Sequence, residues 1–156
     1  MTLLSFDNPV FAAYAVASSL MIGKMIAMSR LTIIRMALTQ RSFATAEDTR
    51  ITLANPRGSP DQMLSDDRVE RVRRIHRNDT ENVPLFLSAG LMFVLVSPAQ
   101  VLAFGLFGAF VASRFLHFAI YMLALPHEVR AASWALGSLS LLVMTATVLT
   151  RAFSAL

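Results

Sequence analysis

Three polar side chains interrupt an otherwise apolar stretch of the sequence. In "SRFLHFAIY" (113–121), Arg114, His117 and Tyr121 stand at i, i+3 and i+7, a spacing that places them on one face of a helix. A guanidinium, an imidazole and a phenol can together bind an anion and hydrogen-bond a nucleophile. Since polar residues in apolar helices rarely face lipid, we expect this face to line a site, with Arg130 nearby at the start of the next helix.

A run of charges at 66–81 is the second candidate. "DDRVERVRRIHRNDTE" holds five arginines, five carboxylates and a histidine. At about 100° per residue, one arc of a helix collects Glu70, Arg74, Arg77, Asn78 and Glu81. The opposite side holds Val69, Val72 and Ile75. Mixed charge of this kind is usually a solvated, salt-bridged helix start, but this run leads into the apolar segment from Val83, where charges need a neighbouring helix or a ligand as partner.

The residue types on this face favour a particular class of ligand. Arginines combined with Glu and Asn suit a small zwitterion that carries more than one carboxylate and an amine, and glutathione has that pattern. Its thiol, with an ordinary pKa of about 8.5, becomes a strong nucleophile when a nearby Arg or hydroxyl stabilises the thiolate. The chain has no cysteine, so it has no disulfide or thiolate metal site, and any reacting thiol must come from the ligand.

The composition predicts the elements that position these residues. With 55% hydrophobic residues, 15% charged residues and a mean hydropathy of +0.56, the chain is too apolar for an ordinary soluble domain. A membrane-spanning helix needs roughly 20 mostly apolar residues, and the sequence accommodates four. We therefore predict an all-α integral membrane protein with a four-transmembrane-helix bundle in a single domain, 1–156. The predicted helices cover about 10–36, 68–96, 100–125 and 129–153, with a loop at about 37–67.

Charge bias predicts the orientation of the bundle. The net charge is +4, and all but one of the 14 basic residues are Arg. Nucleic acid is a poor explanation, because most of these residues lie in one loop, and the positive-inside rule makes the first and third loops cytoplasmic. The N-terminus lacks the basic region of a cleavable signal. We expect a multi-pass protein of a bacterial inner membrane or endoplasmic reticulum with its site on the cytoplasmic side, and no nucleic acid partner. Lys24, the only lysine, is expected to snorkel or to pair with an acidic residue within an oligomer.

Five segments together make a specific resemblance. They are "KMIAMS" (24–29), "FATAED" (43–48), "DDRVERVRRIHRNDTEN" (66–82), "RFLHFAIY" (114–121) and the later Arg130. In order and almost without gaps, they resemble the membrane-associated eicosanoid and glutathione metabolism (MAPEG) family, its glutathione transferase members more than its prostaglandin E synthase members. The resemblance implies four membrane helices, a homotrimer, and glutathione bound between neighbouring subunits.

The resemblance also implies roles for individual residues. Glutathione contacts are carried over to Arg73, Arg74, His76, Arg77, Asn78, Glu81, His117, Tyr121 and Arg130. Arg130 matches the arginine held to stabilise the thiolate, Tyr121 is expected to donate to the sulfur, and Asp48 matches an acidic residue proposed to assist. His76 lies off the polar arc and is kept only through the resemblance. Arg114 is explained equally well as an interhelical partner and is not counted in the site.

Some positions depart from the family pattern. Ala37 stands where the family commonly has an Arg, with Arg35 and Arg41 as possible substitutes. Ala131 and Trp134 replace a Ser and a Tyr of the prostaglandin synthases. These differences weaken the prediction of an isomerase and leave that of a general transferase intact.

The predicted function is conjugation of glutathione, as co-substrate, to a hydrophobic electrophile from the bilayer, with no metal. Reduction of lipid hydroperoxides is an expected side activity, because the same thiolate would attack. The alternatives are a prostaglandin-type isomerase and a non-catalytic lipid-binding scaffold. A small exporter is a weaker alternative, because an isolated carboxylate in mid-membrane is expected there and no acidic residue is expected in the middle of the four predicted spans.

Overall fold

The computed structural model describes residues 2–156 and is helical throughout its regular structure. Its four long helices are α1 (Pro9–Thr39), α2 (Asp67–Leu95), α3 (Gln100–Met122) and α4 (His127–Phe153). Two short 3-10 turns, Glu47–Thr49 and Pro60–Met63, lie between α1 and α2. The predicted all-α membrane protein with four helices is confirmed, and α2 begins inside the charged run.

Local sequence signals explain where the helices begin. The Asn8 side chain accepts a hydrogen bond from the backbone N–H of Val10, and Pro9 occupies the first helical position, where its missing N–H costs nothing. Asp66 caps α2 in the same way, accepting from the Arg68 N–H. Asp67 follows in the first turn, where a negative charge interacts favourably with the helix dipole.

The four helices differ in whether they are apolar enough to span a membrane. Helices α1, α3 and α4 are long and apolar enough to cross a membrane, whereas α2 does not reach that standard. The first half of α2 exposes Arg74, Arg77 and Glu81. Since exposed charges in hydrocarbon are costly, this face of α2 requires water, a ligand or another protein chain against it.

Aromatic side chains form the core of the bundle. Phe86 of α2 stacks on Phe110 of α3 with ring centroids 4.2 Å apart, and Phe107 lies edge-on to Phe86. Tyr14 of α1 contacts the same rings and donates its hydroxyl to the Leu87 carbonyl at 2.7 Å. The aromatic part of the core therefore joins α1, α2 and α3, and α4 adds the fully buried Met144 to the same cluster while packing mainly on α3 and also on α2.

A network of hydrogen bonds between polar side chains holds the connection between α1 and α2 in place. The amide of Asn55 donates to Gln62 Oε1 at 2.7 Å, and Gln62 Nε2 donates to Gln40 Oε1 at 2.7 Å. Asn55 and Gln62 are both buried. Arg73 of α2 ties this connection to the bundle by donating to the Ser42 carbonyl at 2.5 Å. The long loop is thus held against the start of α2.

Candidate active site

His117, Tyr121 and Arg130 come together where α3 ends and α4 begins. The rings of His117 and Tyr121 have centroids 4.8 Å apart, because the two residues are one turn apart on α3. The guanidinium carbon of Arg130 lies 4.9 Å from the centroid of the Tyr121 ring, within the range of a cation–π contact. Within residues 2–156, Arg130 forms no salt bridge. The cluster therefore offers a cation without a protein counter-ion beside a phenol.

A buried polar layer lies directly beneath this cluster. Arg114, one turn before His117, is fully buried and donates from Nη1 to Asn78 Oδ1 of α2 at 2.8 Å. His117 is also buried, and its Nδ1 has no hydrogen-bond partner among the described residues. The layer thus connects α2 to α3 and contains one buried imidazole nitrogen without a partner among the described residues, which is unusual for a buried polar atom.

Lys24 of α1 pairs with Asp79 of α2 inside the same chain. Both side chains are almost completely buried, with 4% and 0% exposed. Lys24 therefore does not snorkel. It pairs with an acidic residue, which is the other predicted option, and that residue belongs to the same chain. Asp79 lies inside the predicted second helix and is buried, so the expectation that the spans contain no acidic residue is wrong. Because it is paired, however, it is not the isolated carboxylate expected of an exporter.

The outward face of α2 carries three of the predicted ligand contacts. Arg74, Arg77 and Glu81 are exposed. Arg74 pairs with Asp67 at 2.8 Å, whereas Arg77 and Glu81 take part in no salt bridge in the described chain. Hydrogen bonds from Arg71 and then Arg74 hold the pKa of the Asp67 carboxyl below its usual range. As the helical wheel predicts, Val69, Val72 and Ile75 on the other side are fully buried.

An open groove with both apolar and polar lining residues lies on the α1 side of α2. It has a volume of about 490 Å³, and its lining includes Arg73, His76 and Arg77 together with Ser29 and Thr32 of α1. Arg73 is occupied, because it pairs with Glu70 at 2.6 Å and donates to Ser42. The groove therefore offers His76 and Arg77 to a ligand, and Arg73 holds the α1–α2 connection.

Asp48 lies in the connection between α1 and α2. It is exposed within the 3-10 turn Glu47–Thr49, and its backbone carbonyl accepts from Asn55 at 3.0 Å. The hydrogen bonds and salt bridges of residues 2–156 do not join the Asp48 carboxylate to Tyr121 or Arg130. The chain by itself does not place Asp48 against the phenol or the guanidinium.

Comparisons with known proteins identify the family of this chain. The sequence model of the MAPEG family matches residues 11–150. The chain belongs to the MAPEG family. It is 37% identical over 131 residues to "Microsomal glutathione S-transferase 1" of Homo sapiens, which covers 84% of this chain and 83% of that protein. It is 30% identical over 149 residues to "Prostaglandin E synthase" of Homo sapiens, with 96% and 94% covered.

The predicted site of this MAPEG chain falls on two faces of α2. Asn78 is joined through Arg114 to the α3–α4 cluster of His117, Tyr121 and Arg130. The groove beside α1 contains a second group, Arg73, His76 and Arg77. Arg74 and Glu81 are exposed on the arc between these two faces. One MAPEG chain therefore presents two part-sites that point in different directions.

Sequence reasoning on this MAPEG chain left out two buried residues, Arg114 and Asp79. Arg114 stands three residues before His117, and that spacing was visible but explained equally well by a structural role. Asp79 follows Val72 and Ile75 at i+7 and i+4, so it lies on the buried face of α2. A carboxylate at such a position needs a cation as partner. The only lysine, in the middle of α1, is the sequence feature that could have indicated this partner.

The substitutes considered for the arginine absent at Ala37 differ in their surroundings. Arg41 donates to the Asp61 carbonyl at 2.7 Å. Arg35 lines a small cavity of about 210 Å³ with Asp67, Arg68 and Arg71. Arg35 therefore adds a cation near the start of α2, whereas Arg41 braces the connection. No group of His, Asp and Glu in residues 2–156 is arranged to hold a metal ion.

Proposed function

We propose that this protein is a membrane-bound glutathione transferase that joins the glutathione thiolate to hydrophobic electrophiles entering from the bilayer. The observation that carries the proposal is the Arg130 guanidinium, which lies over the Tyr121 ring without a salt-bridge partner in the described chain. A cation with no carboxylate against it can stabilise a thiolate. The 37% identity to a microsomal glutathione S-transferase supports the same choice.

The proposed mechanism assigns separate tasks to the two ends of glutathione. Arg130 stabilises the thiolate, Tyr121 donates a hydrogen bond to the sulfur, and His117 contributes the wall behind the phenol. Asn78 and the charges of α2 hold the carboxylates and the amine, because Arg matches carboxylates and Glu81 suits an ammonium. Asp48 is kept as an assisting group only if another subunit brings it to Arg130.

The chemical step is an aromatic or alkyl substitution. The thiol first loses its proton to solvent, and the sulfur lone pair then attacks the electrophilic carbon. At an alkyl carbon the C–S bond forms as the bond to the leaving group breaks. At a nitro-activated aromatic carbon the C–S bond forms first and the leaving group is then expelled; in both cases chloride, for example, departs with the bonding pair. With a lipid hydroperoxide the same thiolate attacks the terminal oxygen, the O–O bond breaks, and the departing alkoxide takes a proton from solvent to become the alcohol. The sulfenic acid formed on sulfur reacts with a second glutathione to give the disulfide and water.

We propose a homotrimer in which the two part-sites of neighbouring chains complete one another. The supporting observation is that α2 is too polar to face lipid and yet exposes Arg74, Arg77 and Glu81. A neighbouring subunit would shield this face and bring a second surface to the same ligand. We propose that the site faces the cytoplasm, which the positive-inside bias of the sequence supports, in a bacterial inner membrane or the endoplasmic reticulum.

Purified protein in detergent tests this function directly. We expect saturable glutathione binding, a rise in Tm with glutathione concentration, and thioether formation with chlorodinitrobenzene. A transferase requires all three. Wild-type protein that neither binds glutathione nor conjugates it would refute the proposal. Cross-linking and native mass spectrometry should show trimers, and a monodisperse active monomer would refute the shared site.

Two alternatives remain distinguishable in the same experiments. An isomerase would convert an endoperoxide without consuming glutathione, but Ala131 and Trp134 replace side chains that the resemblance associates with that reaction. A lipid-binding scaffold would gain Tm from lipid and none from glutathione. The unpaired Arg130 favours an enzyme over the scaffold, and Ala131 and Trp134 favour the transferase over the isomerase.

A further inference from the structure

Arg114 lies in a closely fitted polar compartment between three helices. Its guanidinium donates from Nη1 to Asn78 Oδ1 at 2.8 Å and from Nε to Ser113 Oγ at 3.1 Å. A longer contact of 3.5 Å joins Nη2 to the Trp134 carbonyl of α4, and the Phe110 ring centroid is 5.6 Å from the guanidinium carbon. Since the side chain is fully buried, it has no room to turn away from these partners.

Helix α4 has a glycine, Gly137, opposite this guanidinium, so no side chain fills the space there. A Cβ atom added to Gly137 would come within 2.5 Å of Ser113 Oγ and 2.7 Å of Arg114 Nη2. Real Cβ contacts of that length essentially never occur, so any side chain at position 137 would displace the guanidinium. The space for Arg114 is therefore provided by three elements together, α2, α3 and α4.

The consequence for Asn78 follows from hydrogen-bond chemistry. A guanidinium has only donors, so Arg114 can bind the oxygen of the Asn78 amide and never its nitrogen. This fixes which way round the amide is held, and the amino group of Asn78 is left to face away from Arg114 as a donor. An oriented amide donor suits a carboxylate or peptide carbonyl of a ligand.

We propose that Arg114 is a positioning residue for glutathione, which acts by locking the Asn78 amide so that its amino group donates to an oxygen of the tripeptide. This rests on the proposed function. Arg114 does not touch the ligand, and the Arg130–Tyr121 pair that handles the sulfur is separate from it. Loss of the lock should therefore weaken glutathione binding and leave the turnover of bound glutathione largely unchanged.

Position 137 gives the mildest test, because no ligand group is altered there. In Gly137→Ala, the displaced guanidinium should raise the glutathione Kd and KM by about three- to tenfold, the range expected for one lost hydrogen bond, with kcat within about twofold at saturation. Gly105→Ala is the matched control, since an added Cβ there meets nothing within 4 Å. An unchanged Kd in folded Gly137→Ala, judged against Gly105→Ala, would overturn the proposal.

A double-mutant cycle tests the link between the two residues. Asn78→Ala removes the amide donor and should raise the glutathione Kd. Arg114→Lys should raise it as well, because lysine keeps the charge but lacks the planar fork. The double variant should be no worse than the worse single variant, since both remove the same donor. Additive effects, or an unchanged Kd in Asn78→Ala, would contradict the positioning role.

Folding and function are separated by the controls. If Arg114→Lys fails to fold, Gly137→Ala combined with Asn78→Ala completes the same cycle. A drop in Tm with an unchanged Kd would make Arg114 merely structural. Failure of wild-type protein to bind glutathione would refute the proposed function itself, whereas wild-type binding that is indifferent to positions 78, 114 and 137 would refute only this inference.

Discussion

The interior and the outer face of α2 handle charge in opposite ways. Inside the bundle, Asp79 pairs with Lys24 and Asn78 accepts from Arg114, so the principal charged groups of that layer have protein partners. On the outer face, Arg77 and Glu81 are exposed and form no salt bridge within residues 2–156. The difference separates charges that hold three helices in register from charges that remain available to a ligand or a neighbouring subunit.

The largest expected effect comes from breaking the buried pair on one side. Asp79→Ala leaves the Lys24 ammonium buried without its partner, and we expect a loss of about 3–5 kcal/mol in the free energy of unfolding. Thermal unfolding in detergent measures this as a large fall in Tm. Lys24→Met combined with Asp79→Leu removes both charges and should recover most of the loss.

The matched control for this test is Asp61→Ala, which alters an exposed carboxylate. Its Tm should stay close to that of the wild type. If Asp79→Ala were equally harmless, the interior of α2 would not depend on paired charge, and the contrast between the two faces would collapse.

Removing an unpaired charge should instead affect activity. We expect Arg130→Ala to lower kcat/KM by about 10²–10³-fold, the usual cost of losing a group that stabilises developing or full negative charge at the reacting atom. Its Tm should change little, because Arg130 has no salt bridge in the described chain. Arg151→Ala, at the exposed far end of α4, is the control. Normal turnover in Arg130→Ala would remove this residue from the chemistry.

The same contrast explains what the sequence could predict. The four helices and the polar arc of α2 are visible because periodicity and hydropathy are local properties of the chain. The Lys24–Asp79 pair joins residues 55 positions apart, and no local pattern specifies which cation meets which carboxylate. Arg73 shows why the site residues were harder to predict than the helices. The family resemblance predicts a ligand contact for Arg73, whereas its hydrogen bonds to Ser42 and Glu70 become visible only in the fold.

A smaller effect is expected where Arg73 holds the α1–α2 connection. Arg73→Gln loses the pair with Glu70 and the bond to the Ser42 carbonyl. The free energy that holds the loop against α2 should fall by only about 1–2 kcal/mol, since both groups are partly exposed. Limited trypsin digestion should then cut several-fold faster at Arg50 and Arg57. Arg68→Gln serves as the control, because Arg68 is exposed. Equal digestion rates would show that Arg73 does not hold the α1–α2 connection.

The smallest effect concerns Asp67, in the first turn of α2 and outside the apolar segment. Bonds from Arg71 and Arg74 lower the pKa of its carboxyl, so its stabilising contribution is present above the ordinary pKa of about 3.9 and is lost as the pH falls through the lowered value. The Tm difference between wild type and Asp67→Asn should shrink when the pH is lowered from about 7 to below about 3.9. A difference independent of pH would mean that the carboxylate charge contributes nothing.

Ultraviolet difference absorbance of bound glutathione tests the central claim most directly, because the thiolate absorbs where the thiol does not. At neutral pH, we predict thiolate absorbance when glutathione binds to the wild-type protein, and its loss in Arg130→Ala protein saturated with glutathione. Equal thiolate absorbance in both proteins, or none in the wild type, would contradict the assignment of the unpaired arginine to the sulfur.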